Sequence, residues 1–131
     1  MTYYSGKDLA GAFRTVRQNT IQTAQDIPED KYGFAAADGC MTVGAMLAHL
    51  AASTNFHQQL HGVDKKSHVS IEDFGAYMGA AQKIQASLTT KADIIDALMT
   101  RGQEFASWLE TLTDAQLGEQ VTFPAGLQPP S

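Results

Sequence analysis

Cysteine and basic residues are both scarce in this sequence. Cys40 is its only cysteine, which excludes an internal disulfide or a cysteine-rich zinc site and fits a reducing cytoplasm. Nine lysine and arginine residues against fourteen acidic ones give a net charge of -5, so no basic stripe is available to follow nucleic-acid phosphates. No apolar run approaches the roughly 18 residues of a membrane span, and the first residues lack a signal-peptide core. We therefore expect a cytoplasmic protein without nucleic-acid or membrane partners.

Familiar catalytic motifs are missing as well. The sequence contains no glycine-rich phosphate loop, no nucleophile elbow and no Glu-x-x-His pair of the kind found in di-iron bundles. Its 131 residues are enough for a single domain, residues 1–131, with a real hydrophobic core. Any catalytic or metal-binding site in this sequence must therefore be built from a less common arrangement of residues.

Helix signals are frequent along the whole chain. Ser5, Ser70 and Thr113 each begin a capping-box pattern, and Thr90 begins a further helix. Two glycines weaken the helix that follows Ser70, and we expect it to be broken into two pieces at Gly75 and Gly79. Apolar residues recur in steps of three and four in the first and last long helices, at Leu9, Phe13, Val16, Thr20, Ala24 and Ile27, and at Ile95, Leu98, Gly102, Phe105, Leu109 and Leu112.

The stretch Met41–Gly62 contains three of the four histidines and no acidic, lysine or arginine side chain. It is typical of one complete helix, capped by Thr42 and followed by Gly62 just past its end. At 100° per residue, His49 falls on the apolar face of that helix. A buried imidazole needs a hydrogen-bond partner or a metal ion, so His49 is either a satisfied core residue or a ligand.

His57 and His61 form the one local spacing with chemical meaning. Two imidazoles four residues apart on a helix lie about 6 Å apart along the axis and can share a zinc or nickel ion if a third ligand is present. The same spacing also arises by chance at a solvated helix end. His49 lies about 12 Å along the axis from His57, too far to join that pair comfortably.

The order of three segments resembles the DinB-like, YfiT-related family of four-helix bundles over essentially the whole chain. These segments are DIPEDKYGF, MTVGAMLAHLA and TKADIIDALMTRGQEFASWLETL followed by VTFP. The resemblance implies an all-α, up-and-down four-helix bundle with a long helical crossover, often a homodimer. It also implies that His49 is one of three histidines that hold a divalent nickel or zinc ion. Relatives are thiol-dependent transferases, isomerases and hydrolases, so a low-molecular-weight thiol or other small molecule is the expected substrate.

The sequence departs from the family pattern at its end. The other two ligands of the family come from a His-x-x-x-His on a final helix, and Gln128–Ser131 stands where that helix would begin. Two alternatives stay open: the 131-residue sequence is truncated before this helix, or it is complete and His49 lacks the two other family ligands. Without it, an open groove is expected, lined by Val43, Leu47, Leu50, Phe105 and Leu109.

Two hypotheses about function follow. The first is a metal-dependent enzyme of the DinB-like kind, in which His49 helps to hold the ion. The alternative is a non-catalytic helical dimerisation module, in which His49 is a core residue and the seam from Ile95 to Leu112 mediates self-association.

Overall fold

Helices make up nearly all of the regular structure in residues 4–127, the part of the chain that the computed structural model describes. An isolated parallel bridge joins His68 to Thr122 and is the only extended pairing within that range. The predicted helix beyond Ser131 lies outside the described residues. In chain order the elements are α1 (Gly6–Asp26), a 3₁₀ turn (Glu29–Lys31), α2 (Val43–Ala52), α3 (Thr54–His57), a π-helix (Gln58–Val63), α4 (Ile71–Ser87), α5 (Lys91–Glu110) and α6 (Asp114–Leu117).

The predicted helix starts are confirmed by their capping hydrogen bonds. Ser5, Ser70 and Thr113 each accept a bond from the main chain three residues later, and the side chain at that later position accepts one in return. Thr42 and Thr90 cap α2 and α5 through their hydroxyl groups. These bonds satisfy amide groups that the first turn of a helix leaves without a partner.

Helix α5 is the centre of the bundle. It packs along α1 on one side and against α2 on the other, and α4 covers α2 as the crossover between the second helical stretch and α5. The all-α bundle with a long helical crossover is therefore confirmed. Within residues 4–127, no helix combines the length and hydropathy needed to span a membrane. The main core unites residues from α1, the 3₁₀ region, α2 and α5: Ile21, Ala24, Tyr32, Leu47, Ala48, Ala51, Ile94, Ala97 and Leu98.

A second, smaller core lies where α3 and the π-helix meet α4. Leu60 and Val69 are fully buried there and Tyr77 is nearly so. The Tyr77 hydroxyl donates a hydrogen bond of 2.5 Å to the Asp64 carboxylate. Desolvation of the phenol and this carboxylate raise the pKa of Tyr77 to about 12. This cluster fixes α4 against the helix that carries the histidines.

The predicted break at Gly75 and Gly79 is wrong, because α4 runs without interruption from Ile71 to Ser87. A Cβ atom added at either glycine would meet no other atom within 4 Å. The glycines therefore lie on an open face, and the helix is maintained by the packing of Tyr77 on its other side. Tertiary packing overrides the weak intrinsic preference of glycine.

The prediction of one helix ending before Gly62 is wrong in two respects. The helix is interrupted at Ser53, and its last part winds as a π-helix that includes Gly62. A Cβ atom at Gly62 would lie 2.8 Å from the Nε1 atom of Trp108. Glycine is needed here because the indole ring packs directly on the backbone, and not because the chain turns.

The predicted inward face of α1 is only partly correct. Val16 is 64% exposed, whereas the adjacent Arg17 is 8% exposed. Ala10 and Ala24 are fully buried, so α1 approaches α5 along a face of small residues and one long arginine. In α2 the buried face is likewise alanine-rich, and Met46 and Leu50 are exposed. Close helix packing favours small side chains over the larger ones that hydrophobicity alone would bury.

Candidate functional site

A pocket between the histidine-bearing helices and α4 is the most chemically suggestive cavity of the fold. We call it the histidine pocket, and its volume is about 340 Å³. Both imidazoles come from the α2–α3 side, and α4 contributes apolar and amide side chains on the other side. It is lined by His49, Ala52, Ser53, Phe56, His57, Phe74, Met78, Ala81, Gln82 and Gln85.

His49 stands at the rim of this pocket and is exposed. Its Nδ1 atom lies 3.4 Å from the Oε1 atom of Gln85, the distance of a long hydrogen bond. If Nδ1 donates that bond, the other ring nitrogen, Nε2, keeps its lone pair for a ligand. Gln85 thus contacts the ring, and because His49 is exposed the hypothesis that it is a core residue does not hold.

His57 also lines this pocket, and its separation of about 12 Å from His49 along the helix axis, too far to share one ion comfortably, stays a prediction. Its ring contacts the edge of Phe56 at a centroid distance of 5.3 Å. The residue is exposed overall, yet desolvation of the ring by these neighbours lowers the pKa of His57. The imidazole is therefore neutral at pH 7 and available as a proton acceptor.

His61 stacks on His57, with ring centroids 6.0 Å apart and planes only 4° from parallel. Desolvation and the nearby His57 lower the pKa of His61, and Glu119 acts in the opposite direction. Ring nitrogens direct their lone pairs in the plane of the ring, so two stacked parallel rings do not aim at one shared ion. The proposal that this pair holds a metal remains a prediction, and the ring geometry does not favour it.

His61 belongs to a separate pocket of about 380 Å³ at the end of the bundle. That pocket also contains Trp108, Lys65 and Lys66, so His61 does not reach the histidine pocket. His68 is exposed on the loop before α4, as expected. His49 and His57 thus line one pocket, His61 stacks on His57 but lines a separate pocket, and His68 lies elsewhere.

Metal ligands are not grouped in the described part of the chain. Within residues 4–127, no three histidine, cysteine or acidic side chains lie close enough to hold one ion. An ion at His49 would therefore need further ligands from outside this range.

The predicted open groove is present in altered form. Leu50 and Phe105 do line a groove, which also includes Phe13 and Arg17 from α1. Leu47 and Leu109, by contrast, are buried. The alternative hypothesis assigned the α5 seam from Ile95 to Leu112 to self-association. Leu98, Gly102 and Leu109 of that seam are instead buried within the chain.

Sequence reasoning missed the contribution of α4 to the histidine pocket. Phe74, Met78 and Gln85 come from that helix, and Gln85 is 36 positions away from the histidine that it contacts. The spacing of Phe74, Met78 and Gln85 does place them on one helical face, which is the signal that could have indicated a shared surface.

Comparison with known proteins agrees with the sequence resemblance. The family model of the DinB superfamily matches residues 12–131. The comparisons with curated proteins and with solved structures found no significant match.

Proposed function

The chain belongs to the DinB superfamily, and on this premise we propose that it is a metal-dependent enzyme of the thiol-dependent transferase or hydrolase type. In this proposal His49 contributes one imidazole ligand to a divalent nickel or zinc ion beside the histidine pocket. The observation that carries it is the placement of His49, which is exposed at the rim of an apolar pocket with its ring in contact with Gln85.

The donor chemistry of His49 fits such an ion, but the number of ligands in the described residues does not. A free imidazole nitrogen is a good ligand for zinc and nickel, and a ring that is already oriented loses little freedom on binding. A stable site needs at least two more ligands, and residues 4–127 do not group them around His49. They would come from other parts of the protein or from a second copy of the chain. Homodimerisation and a cytoplasmic location remain predictions.

The rest of the pocket suits a small organic substrate. Phe56, Phe74 and Met78 provide apolar walls, and the amide groups of Gln82 and Gln85 provide hydrogen-bond donors and acceptors. A bound ion would supply a Lewis acid that polarises a substrate or favours the ionised form of a thiol or water.

His57 is the residue placed to move a proton in this pocket. Its lowered pKa keeps the imidazole neutral near pH 7, which is the form that accepts a proton from a bound thiol or water. A substrate in a pocket of about 340 Å³ would lie between this base and the rim that carries His49.

Metal content of tag-free protein tests the proposal. We expect about one equivalent of nickel or zinc in the intact gene product, loss of that metal in its His49→Ala variant, and retention in its His68→Ala variant. Both histidines are exposed, so neither change should alter the helical circular dichroism spectrum. The His68 variant controls for nonspecific binding by a surface imidazole. Equal metal content in both variants, or none in the intact gene product, would refute the proposed role of His49.

A further inference from the structure

A second groove lies between α1, the α2–α3 stretch and α5. It has a volume of about 280 Å³, and most of the surface that lines it is apolar. We call it the Arg17 groove. It is lined by Phe13, Val16, Arg17, Thr20, Leu50, Ser53, Thr54, His57 and Phe105.

Arg17 is held in this groove by specific packing. Gly102 on α5 leaves space for the side chain, since a Cβ atom there would lie 2.9 Å from the Cγ atom of Arg17. The guanidinium donates hydrogen bonds to the main-chain carbonyls of Leu50 at 3.1 Å and Leu98 at 3.4 Å. The centre of the guanidinium also lies 5.0 Å from the centroid of the Phe13 ring. The cation is thus fixed in one place by four neighbours.

This buried charge has no carboxylate partner within residues 4–127. The ion pairs in that range join Arg14 to Glu110 and Lys66 to Asp73. Two carbonyl groups accept only two of the five N–H groups of a guanidinium and carry no full negative charge. A buried cation is normally neutralised by an acid, because leaving it unpaired is costly. The Arg17 guanidinium can therefore bind one negatively charged group in this groove.

The second buried polar side chain of the described residues lies in the same groove. Thr54 is 6% exposed and Arg17 is 8% exposed, and no other polar or charged residue in that range is buried to this degree. Thr54 lines the groove, and its hydroxyl is able to donate a hydrogen bond to a bound molecule. His57 lies at the edge of the groove and also lines the histidine pocket.

We propose that the Arg17 groove binds a small monocarboxylic acid, with its carboxylate on Arg17 and Thr54 and its short apolar chain among Phe13, Leu50 and Phe105. One cation matches a monoanion better than it matches phosphate with its higher charge. A volume of about 280 Å³ equals that of roughly nine water molecules in the liquid, so an acid of about eight heavy atoms fits. The proposal is independent of the metal, because His49 is not part of this groove.

Calorimetric titration with sodium hexanoate tests this proposal, with hexanamide and inorganic phosphate as comparison ligands. We expect hexanoate to bind the wild type and both comparison ligands to bind at least tenfold more weakly. Losing a charge-assisted hydrogen bond should weaken hexanoate binding by about 10- to 100-fold in Arg17→Gln. Arg14→Gln removes an exposed arginine of the same helix and should bind as the wild type does.

Two further variants keep the test decisive if Arg17→Gln does not fold. Thr54→Val has nearly the same shape and should weaken hexanoate binding about fivefold through loss of one hydrogen bond. His49→Ala should bind hexanoate normally, so failure of the metal proposal would not affect the result. Unchanged affinity in both Arg17→Gln and Thr54→Val, or equal binding of hexanamide, would overturn the proposal. A further result would also overturn it: hexanoate does not bind, and the wild type forms a dimer that Arg17→Gln dissociates. The carboxylate that pairs with Arg17 would then come from a second copy of the chain.

Discussion

Gly62 allows the indole of Trp108 to pack directly on the π-helix that follows α3. The substitution Gly62→Ala tests whether this close approach is what requires glycine. A new Cβ atom would lie 2.8 Å from Nε1 and 3.1 Å from Cε2 of the indole. A rigid ring has no flexible end to move aside, so the whole indole or the helix must shift.

The expected magnitude is a balance of two effects. Overpacking of this kind costs about 1–3 kcal/mol. The higher helix propensity of alanine offsets roughly 1 kcal/mol of that cost. We therefore expect Gly62→Ala to lower the free energy of unfolding by about 1 kcal/mol, which lowers Tm by about 4 °C for a chain of this size.

Gly75→Ala is the matched control, because its new Cβ atom would meet nothing within 4 Å. We expect this variant to be more stable than the wild type by about 0.5–1 kcal/mol. Urea denaturation followed by fluorescence measures both, and Trp108 is the only tryptophan, so its emission also reports the displaced ring. Equal stabilisation by the two substitutions would refute the argument that Trp108 requires a glycine at position 62.

Two further predictions concern the core and the effect of pH. Leu98 is fully buried, so Leu98→Ala should cost about 2–5 kcal/mol in urea denaturation, whereas Met99→Ala, at a position 53% exposed, should cost less than about 0.5 kcal/mol. The pKa values of His57 and His61 are lowered from 6.5, so below that pH the unfolded chain takes up protons more readily than the folded one. Their stabilising effect is complete above pH 6.5 and is lost as the pH falls toward their folded-state pKa values. The slope of stability against pH between 7 and 5 should be smaller in the double variant to glutamine, and an unchanged slope would contradict this assignment.

The helix starts were predictable because they depend on contacts only three residues apart. Ser5, Ser70 and Thr113 accept bonds from main-chain groups whose positions are fixed by local geometry. The continuity of α4 was not predictable in the same way, because it depends on the burial of Tyr77 against residues from other elements. Local signals therefore located the ends of this helix but not its unbroken path through Gly75 and Gly79.

The buried faces of the helices were harder to predict than their positions. In α1, hydrophobicity favours Val16 over Arg17, yet the structure buries the arginine and exposes the valine. The reason lies in Gly102 on α5, whose missing side chain creates space for the arginine stem. That complementarity joins residues 85 positions apart, and the periodicity of a single helix contains no information about it.

The candidate site was likewise only partly predictable from the sequence. The family resemblance singled out His49 from a short segment of α2, and the structure places it at the rim of a pocket. The residue that contacts its ring, Gln85, belongs to the crossover helix, so only the packing of α2 against α4 could reveal it. The shared pocket of His49 and His57 likewise depends on Phe56 and Phe74, which meet edge to face between the helices.

Nitrogen NMR of the histidine side chains is the most direct measurement of the central claim. The protein has four histidines, and the ring nitrogens of each give separate signals that report protonation and metal ligation. On addition of zinc, the account predicts a large shift of the Nε2 signal of His49, while the signals of His61 and His68 stay in place. Metal-induced shifts confined to His57 and His61, or no shift at any histidine, would contradict the assignment of His49 as the metal ligand.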